Sequence, residues 1–300
     1  MKIINKSIFC ILMATIAIAV PYTSAETVTD RDGHKYKTVK IGKQVWMAEN
    51  LNYNPGKSNG PNICAGCEDF GRLYSWNSAM GIEPEVKNGW VGMENRIEGR
   101  PISNRHQGIC PIGWHIPTVR DMRELLIYLT VKLFKDNGNW EDSFMSYLED
   151  DLNQFVFPVD GGRSQRVMKT MEYYGVALCE PGYWARGGDG KEVCVNSFGF
   201  SIRSSGTGEY RDLDKCTEEM LSDFLSKRKC CSEGCVGDHF AMWLADENTA
   251  CQDKVERGRH RCEYKPEAAI FNFQQWSGTF FQEIRWKDKN SFASVRCIKD

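Results

Sequence analysis

Beyond its first two dozen residues the chain has no second long apolar run, no excess of basic residues and no motif of a familiar catalytic class. Crossing a bilayer takes about 20 consecutive apolar residues, so no integral membrane segment is expected in the body of the protein. Lys and Arg number 38 against 40 Asp and Glu, a formal net charge of −2, and no basic patch points to nucleic acid as a partner. Gly-x-Ser-x-Gly, His-Glu-x-x-His and phosphate loops are missing, which argues against hydrolase or nucleotide chemistry in its usual forms. Internal repeats and low-complexity tracts are also lacking.

What is present starts with the first 25 residues. Lys2 and Lys6 precede an apolar run from Ile8 to Val20, and Pro21-Tyr-Thr-Ser-Ala25 follows with a helix breaker and small residues. This pattern predicts a secretory signal peptide over residues 1–25, removed after Ala25, with residues 26–300 forming one domain. Its loss takes away two lysines and no acid, which moves the formal charge from −2 to −4. Cys10 lies behind bulky Phe9 with no lipobox around it, so lipid attachment there is not expected. The predicted location is secreted or at the cell surface.

Of 13 cysteines, twelve remain after the signal segment: Cys64, Cys67, Cys110, Cys179, Cys194, Cys216, Cys230, Cys231, Cys235, Cys251, Cys262 and Cys297. An even number in an exported chain favours disulfides, but roughly ten thousand pairings are open. Cys64-Ala-Gly-Cys67 has the spacing of a redox pair, yet no strand before it or helix after it is read from the sequence. Zinc held by Cys64, Cys67 and the Cys230, Cys231, Cys235 group is an alternative use of the thiols.

Elements follow from periodicity. Tyr36–Ile41 and Gln44–Met47 alternate on either side of Gly42-Lys43, which predicts a hairpin with a II′ turn that buries Tyr36, Val45 and Met47. Gly71–Met80 reads as either strand or helix. Thr118 and Asp121 open a helix whose stripe is Met122, Leu125, Leu126, Leu129 and Leu133. Further helices are predicted near 141–155 and over 212–229. Phe240–Leu244, Ala269–Phe273, Phe280-Phe281 and Ser294–Ile298 read as strands of one antiparallel sheet. The expected class is α+β.

Four motifs occur in order: Asp32-Gly-His-Lys-Tyr-Lys-Thr-Val-Lys-Ile-Gly-Lys-Gln-Val-Trp-Met-Ala-Glu-Asn-Leu-Asn-Tyr53, Gly71-Arg-Leu-Tyr-Ser-Trp76, Cys110-Pro-Ile-Gly-Trp-His-Ile-Pro117 and Ser294-Val-Arg-Cys297. Together they resemble the Fibrobacter succinogenes major paralogous domain, a family of exported bacterial proteins, with insertions or divergent parts near 81–107 and 160–240. The resemblance implies a loop-rich fold similar to C-type lectin-like domains and to formylglycine-generating enzymes, with paired N- and C-terminal strands. It also implies disulfides Cys110–Cys297 and Cys64–Cys67. Proximity in sequence adds Cys179–Cys194 and Cys251–Cys262, while the neighbours Cys230 and Cys231 are expected to bond elsewhere.

The chemistry is read against that scaffold. The formylglycine-generating enzymes use a cysteine pair shortly upstream of the closing strand; here the nearest upstream cysteine is Cys262, and no close pair lies between it and Cys297. Calcium-dependent lectins use Glu-Pro-Asn or Gln-Pro-Asp with Trp-Asn-Asp; this chain has Glu83-Pro-Glu85 and Trp286-Lys-Asp288. No cofactor is therefore expected and no motif supports calcium, although Asp246, Glu247 and Asn248 are oxygen ligands on one predicted loop. Trp243, Trp276 and Trp286 are the candidate platforms for a sugar ring, whereas Trp46, Trp76 and Trp114 are expected to fill the core. His115 is expected to be packed and hydrogen-bonded, and His239 beside Asp238 is the better histidine for a catalytic role. The expectation is a non-catalytic binding domain for polysaccharide or a surface protein. An enzyme with a diverged site and a surface-layer component are the alternatives.

Overall fold

The computed structural model describes residues 26–56, 62–64, 67–82, 96–97, 100–101, 105–136, 177–184, 194–205, 208–209, 239–248, 251–256, 259–264, 267–276 and 279–300. The signal segment, the helices expected near 141–155 and over 212–229, and Cys216, Cys230, Cys231 and Cys235 lie outside the described residues.

Three strands, β1 (Thr27–Thr29), β2 (Lys35–Ile41) and β3 (Gln44–Met47), form an antiparallel meander. Ile41 faces Gln44, so the β2–β3 loop has two residues, and Gly42 takes φ 61° as the first position of a II′ turn requires. Tyr36 and Met47 are buried and Val45 partly so. Next come β4 (Asn62–Ile63), α1 (Cys67–Phe70), β5 (Leu73–Tyr74) and α2 (Trp76–Met80). The ambiguous Gly71–Met80 stretch is thus strand and then helix, because Ser75 caps α2 by accepting from the Ser78 amide and leaves Leu73 and Tyr74 extended.

After a short hairpin of β6 (Arg96–Ile97) and β7 (Arg100–Pro101) come β8 (Trp114–His115) and α3 (Val119–Asp136). The start of α3 is doubly fixed: Thr118 donates from its amide and hydroxyl to Asp121, and the Asp121 amide donates back to the Thr118 hydroxyl. Met122, Leu125, Leu126 and Leu129 form its buried stripe.

The remaining strands are β9 (Gly208–Glu209), β10 (His239–Glu247), β11 (Cys251–Glu256), β12 (Arg259–Tyr264), β13 (Glu267–Trp276), β14 (Thr279–Asp288), β15 (Ser291–Phe292) and β16 (Ile298–Lys299). Two sheets organise the fold, one ordered β1-β2-β3-β16-β8 and the other β10-β13-β14. Strand β10 is buried on both faces. Phe240, Met242 and Leu244 join the core under α3, while Ala241, Trp243 and Ala245 join a second cluster around Trp76 and Trp114. A strand's side chains alternate between its two faces, so one strand serves both cores.

The closing segment departs from expectation. Residues 294–298 do not extend the aromatic sheet: only Ser294 touches β10, in a parallel bridge to Met242, and Ile298 crosses to sit between Trp46 of β3 and His115 of β8. The intervening backbone is already engaged, since Val295 O accepts from Leu51 and Cys297 O from Met47. The C-terminal strand is therefore paired with the N-terminal meander, through β3. The described parts of the expected insertion near 160–240 also pack inward, with Leu178, Trp184, Phe200 and Ile202 fully or almost fully buried in the main core.

Cys110–Cys297, Cys179–Cys194 and Cys64–Cys67 are disulfides, with Cα separations of 5.9, 5.3 and 5.0 Å. Cys64 follows β4 and Cys67 opens α1, so the strand and helix that the sequence did not reveal around this pair are both there. Cys251 and Cys262 lie on adjacent strands, where Cys251 faces Tyr264 and Cys262 faces Asp253.

Candidate functional site

A cleft of about 220 Å³ opens between β2, the segment after β3, α1 and Arg203. Its walls are polar: His34, Glu49, Glu68, Asp69 and Arg203 reach it, with Tyr36 behind. Each is held from below. The Tyr36 hydroxyl donates to Asp30 (2.5 Å) and accepts from the Asn52 amide (2.9 Å). Burial first, and the Asp30 carboxylate second, push this phenol far above its ordinary range, so it is a fixed hydrogen-bonding group. Asp30 also takes the His34 amide and ring Nδ1 at 3.0 and 3.2 Å. Glu49 accepts from the Lys37 amide at 2.8 Å.

Arg203 closes the opposite side. It pairs with Glu180 through two nitrogens, donates to the backbone oxygen of Asp69 and lies 4.3 Å over the Tyr183 ring. Burial acts to lower its pKa, but the Glu180 carboxylate outweighs burial and raises it. Beneath the cleft, Arg296 is fully buried and donates to Asn50 Oδ1 and to the carbonyls of Phe200 and Ser201. Burial pushes its pKa down to about 9. Asn50 in turn donates to Phe70 O at 2.8 Å, and Gly71 passes so close that a Cβ there would meet Asn50 Cβ at 2.5 Å. Arg296 and Asn50 thus fasten the helical wall to the core.

Exposed carboxylates and a forked guanidinium in a half-open cleft suit a ligand rich in hydroxyls or amides. Nucleophilic catalysis needs an activated nucleophile beside a base; the Tyr36 hydroxyl does meet the Asp30 carboxylate, but burial pushes that phenol far above its ordinary range, so it is not primed to attack. No His, Cys, Asp and Glu cluster able to hold a metal occurs among the described residues either.

The residues singled out in the sequence lie elsewhere. Trp243 is fully buried and its indole donates to Tyr74 O at 2.7 Å, so it is a core residue with no face to offer a sugar; alternation on β10 turns it inward. Trp286 packs partly buried against the main core. Trp276 ends β13 opposite Thr279, and nothing is described of its side chain. Asp246, Glu247 and Asn248 are not gathered round one point, because each side chain bonds a different neighbour, Asn248 through its amide nitrogen. Asp246 accepts from the Val119 amide at the start of α3, Glu247 pairs with buried Lys289, and Asn248 bonds Glu267. Their position at the end of β10, where successive side chains point apart, explains the divergence.

Both discussed histidines are buried. His239 contacts Asn272 Oδ1 at 2.8 Å. His115 lies between two carboxylates, with Nδ1 2.7 Å from Asp300 and Nε2 3.6 Å from Asp121. The cleft was missed because its residues are scattered over 34–71 and 203, and no motif or periodicity joins them. The Asn50, Asn52 and Asn54 run was the one local signal, since side-chain amides in a loop often bond backbone.

The fold and site together define an α+β, disulfide-bonded module built around a polar cleft. The chain belongs to the Fibrobacter succinogenes major domain family, whose model matches residues 39–299. No curated protein and no solved structure matches it. Among the described residues no helix is long and apolar enough to cross a membrane.

Proposed function

We propose that this protein is an exported, non-catalytic binding domain acting at the cell surface or outside the cell, and that its cleft recognises a hydroxyl-rich ligand, polysaccharide foremost. A C-type lectin-like scaffold fits the pairing of the last strand, β16, with β3 of the N-terminal meander and the disulfides that fasten it. The observation that carries the reading is the cleft itself: Glu68 and Asp69 stand exposed on a wall anchored through Asn50 and Arg203. Such prior fixing lowers the ordering cost of binding.

The test is retention of the protein lacking residues 1–25 on insoluble cellulose, xylan and peptidoglycan, with and without chelator. Retention on at least one is expected, and Glu68→Ala combined with Asp69→Ala weakens it about ten-fold, the loss of one or two charge-assisted hydrogen bonds. Absence of retention on all three, or retention indifferent to the double substitution, overturns the reading.

A further inference from the structure

The three disulfides among the described residues differ in exposure and in the length of chain they close. Cys110, Cys297 and Cys179 have no exposed surface and Cys194 only 4 %, whereas Cys64 is exposed and Cys67, 6 % exposed, lines the cleft. Thiol–disulfide exchange requires a thiolate to reach one sulfur of the bond. The two buried bonds offer no such path in the folded protein, and Cys64 does. The ring sizes point the same way. Cys64 and Cys67 are 3 residues apart in sequence, against 187 for Cys110–Cys297 and 15 for Cys179–Cys194, so opening the short ring returns little chain entropy.

The segment also has ties other than the bond. Gly71 donates to Cys67 O, Asn50 to Phe70 O, Arg203 to Asp69 O and Arg72 to Asn62 Oδ1. Strand β4 and helix α1 would therefore hold two thiols side by side, ready to close again.

We propose that Cys64–Cys67 is a thiol–disulfide exchange site, attacked at exposed Cys64 by an external thiol, with Cys67 as the resolving cysteine. The incoming thiolate forms a bond to Cys64 Sγ as the Sγ–Sγ bond breaks, and Cys67 leaves as a thiolate that takes a proton from water. A second external thiolate then displaces Cys64, so that two thiols are oxidised to one disulfide and the protein pair is reduced to a dithiol. In reverse, the Cys64 thiolate attacks an external disulfide, and Cys67 resolves the mixed disulfide. The reductant is a small or protein thiol, and the oxidant the corresponding disulfide. This site does not depend on the ligand proposed above, since glycan retention and exchange are read separately.

The experiment titrates the oxidised, folded protein with dithiothreitol, blocks free thiols with N-ethylmaleimide and maps every cysteine peptide. Labelling of Cys64 and Cys67 is expected at about one-tenth or less of the reductant needed for Cys110, Cys297, Cys179 and Cys194, with the far-ultraviolet circular dichroism unchanged. Simultaneous opening of all three bonds, or a Cys64–Cys67 bond that outlasts the others, overturns the proposal. In a second arm, Cys67→Ser is incubated with glutathione disulfide and separately with a thioredoxin that lacks its resolving cysteine and carries thionitrobenzoate on the remaining one, so that thionitrobenzoate leaves as Cys64 bonds the protein and nothing resolves the adduct. A stable mixed disulfide at Cys64 is expected, and which partner forms it tells a small thiol from a protein one. Failure with both, or equal trapping at Cys67 in Cys64→Ser, counts against the assignment of roles. The wild-type titration stands by itself if either variant does not fold.

Discussion

His115 carries the clearest electrostatic consequence of the fold. Burial acts to lower its pKa, but its bonds to Asp121 and Asp300 outweigh burial and raise it from 6.5. For Asp121 burial acts upward, while His115 and Thr118 outweigh it and lower the carboxyl from 3.8. A raised histidine contributes stability that is full below pH 6.5 and lost as pH rises through its folded value. A lowered carboxyl contributes stability that is full above pH 3.8 and lost as pH falls through its folded value. The clamp is thus complete between those two limits. We expect the gap in urea midpoint between wild type and His115→Asn to be widest around pH 5 to 6 and to shrink above about pH 7; a gap constant with pH would contradict the ion pairing. The sequence foretold a packed, hydrogen-bonded His115 from its turn, but not Asp300, which lies 185 residues away along the chain. Trp243 fails as a sugar platform for a related reason. Its type is visible in the sequence, whereas the side of β10 facing solvent is not, since neither side does.

At the level of elements, legibility follows the strength of local signals. The β2–β3 hairpin could be read because Gly42-Lys43 sits between two alternating runs, and α3 because Thr118 and Asp121 cap an unbroken apolar stripe. Strand β4 and helix α1, two and four residues long, are too short for any periodicity, so the pair between them looked unsupported. The closing strand was placed in the wrong sheet because alternation cannot tell which edge a strand will meet. The turn before β8 depends on Gly108, whose φ is 54° and whose added Cβ would lie 2.3 Å from the backbone oxygen of Ala79. Backbone cannot give way as a flexible side chain can. Gly108→Ala is expected to cost at least about 2 kcal/mol, seen as a lower urea midpoint with an unchanged slope, and a midpoint equal to wild type would show that the turn relaxes.

For the molecule as a whole, the staples should rank by the chain they close. In the chain-entropy account the bonds contribute about 5 kcal/mol for Cys110–Cys297, about 3 for Cys179–Cys194 and about 2 for Cys64–Cys67. Replacing each pair by alanines and comparing urea unfolding free energies should reproduce that order; the reverse order would mean that native packing, not the unfolded chain, sets their worth. Composition and motif by themselves determined the α+β class, the family and the first hairpin, because these depend on residue types close together in the chain. Tertiary structure alone decided that one strand serves two cores, that Arg296 lies buried among carbonyls under a polar cleft, and that Cys64–Cys67 faces outward while Cys110–Cys297 and Cys179–Cys194 do not. Those outcomes depend on which distant segments meet, and burial, unlike periodicity, is a property of the meeting.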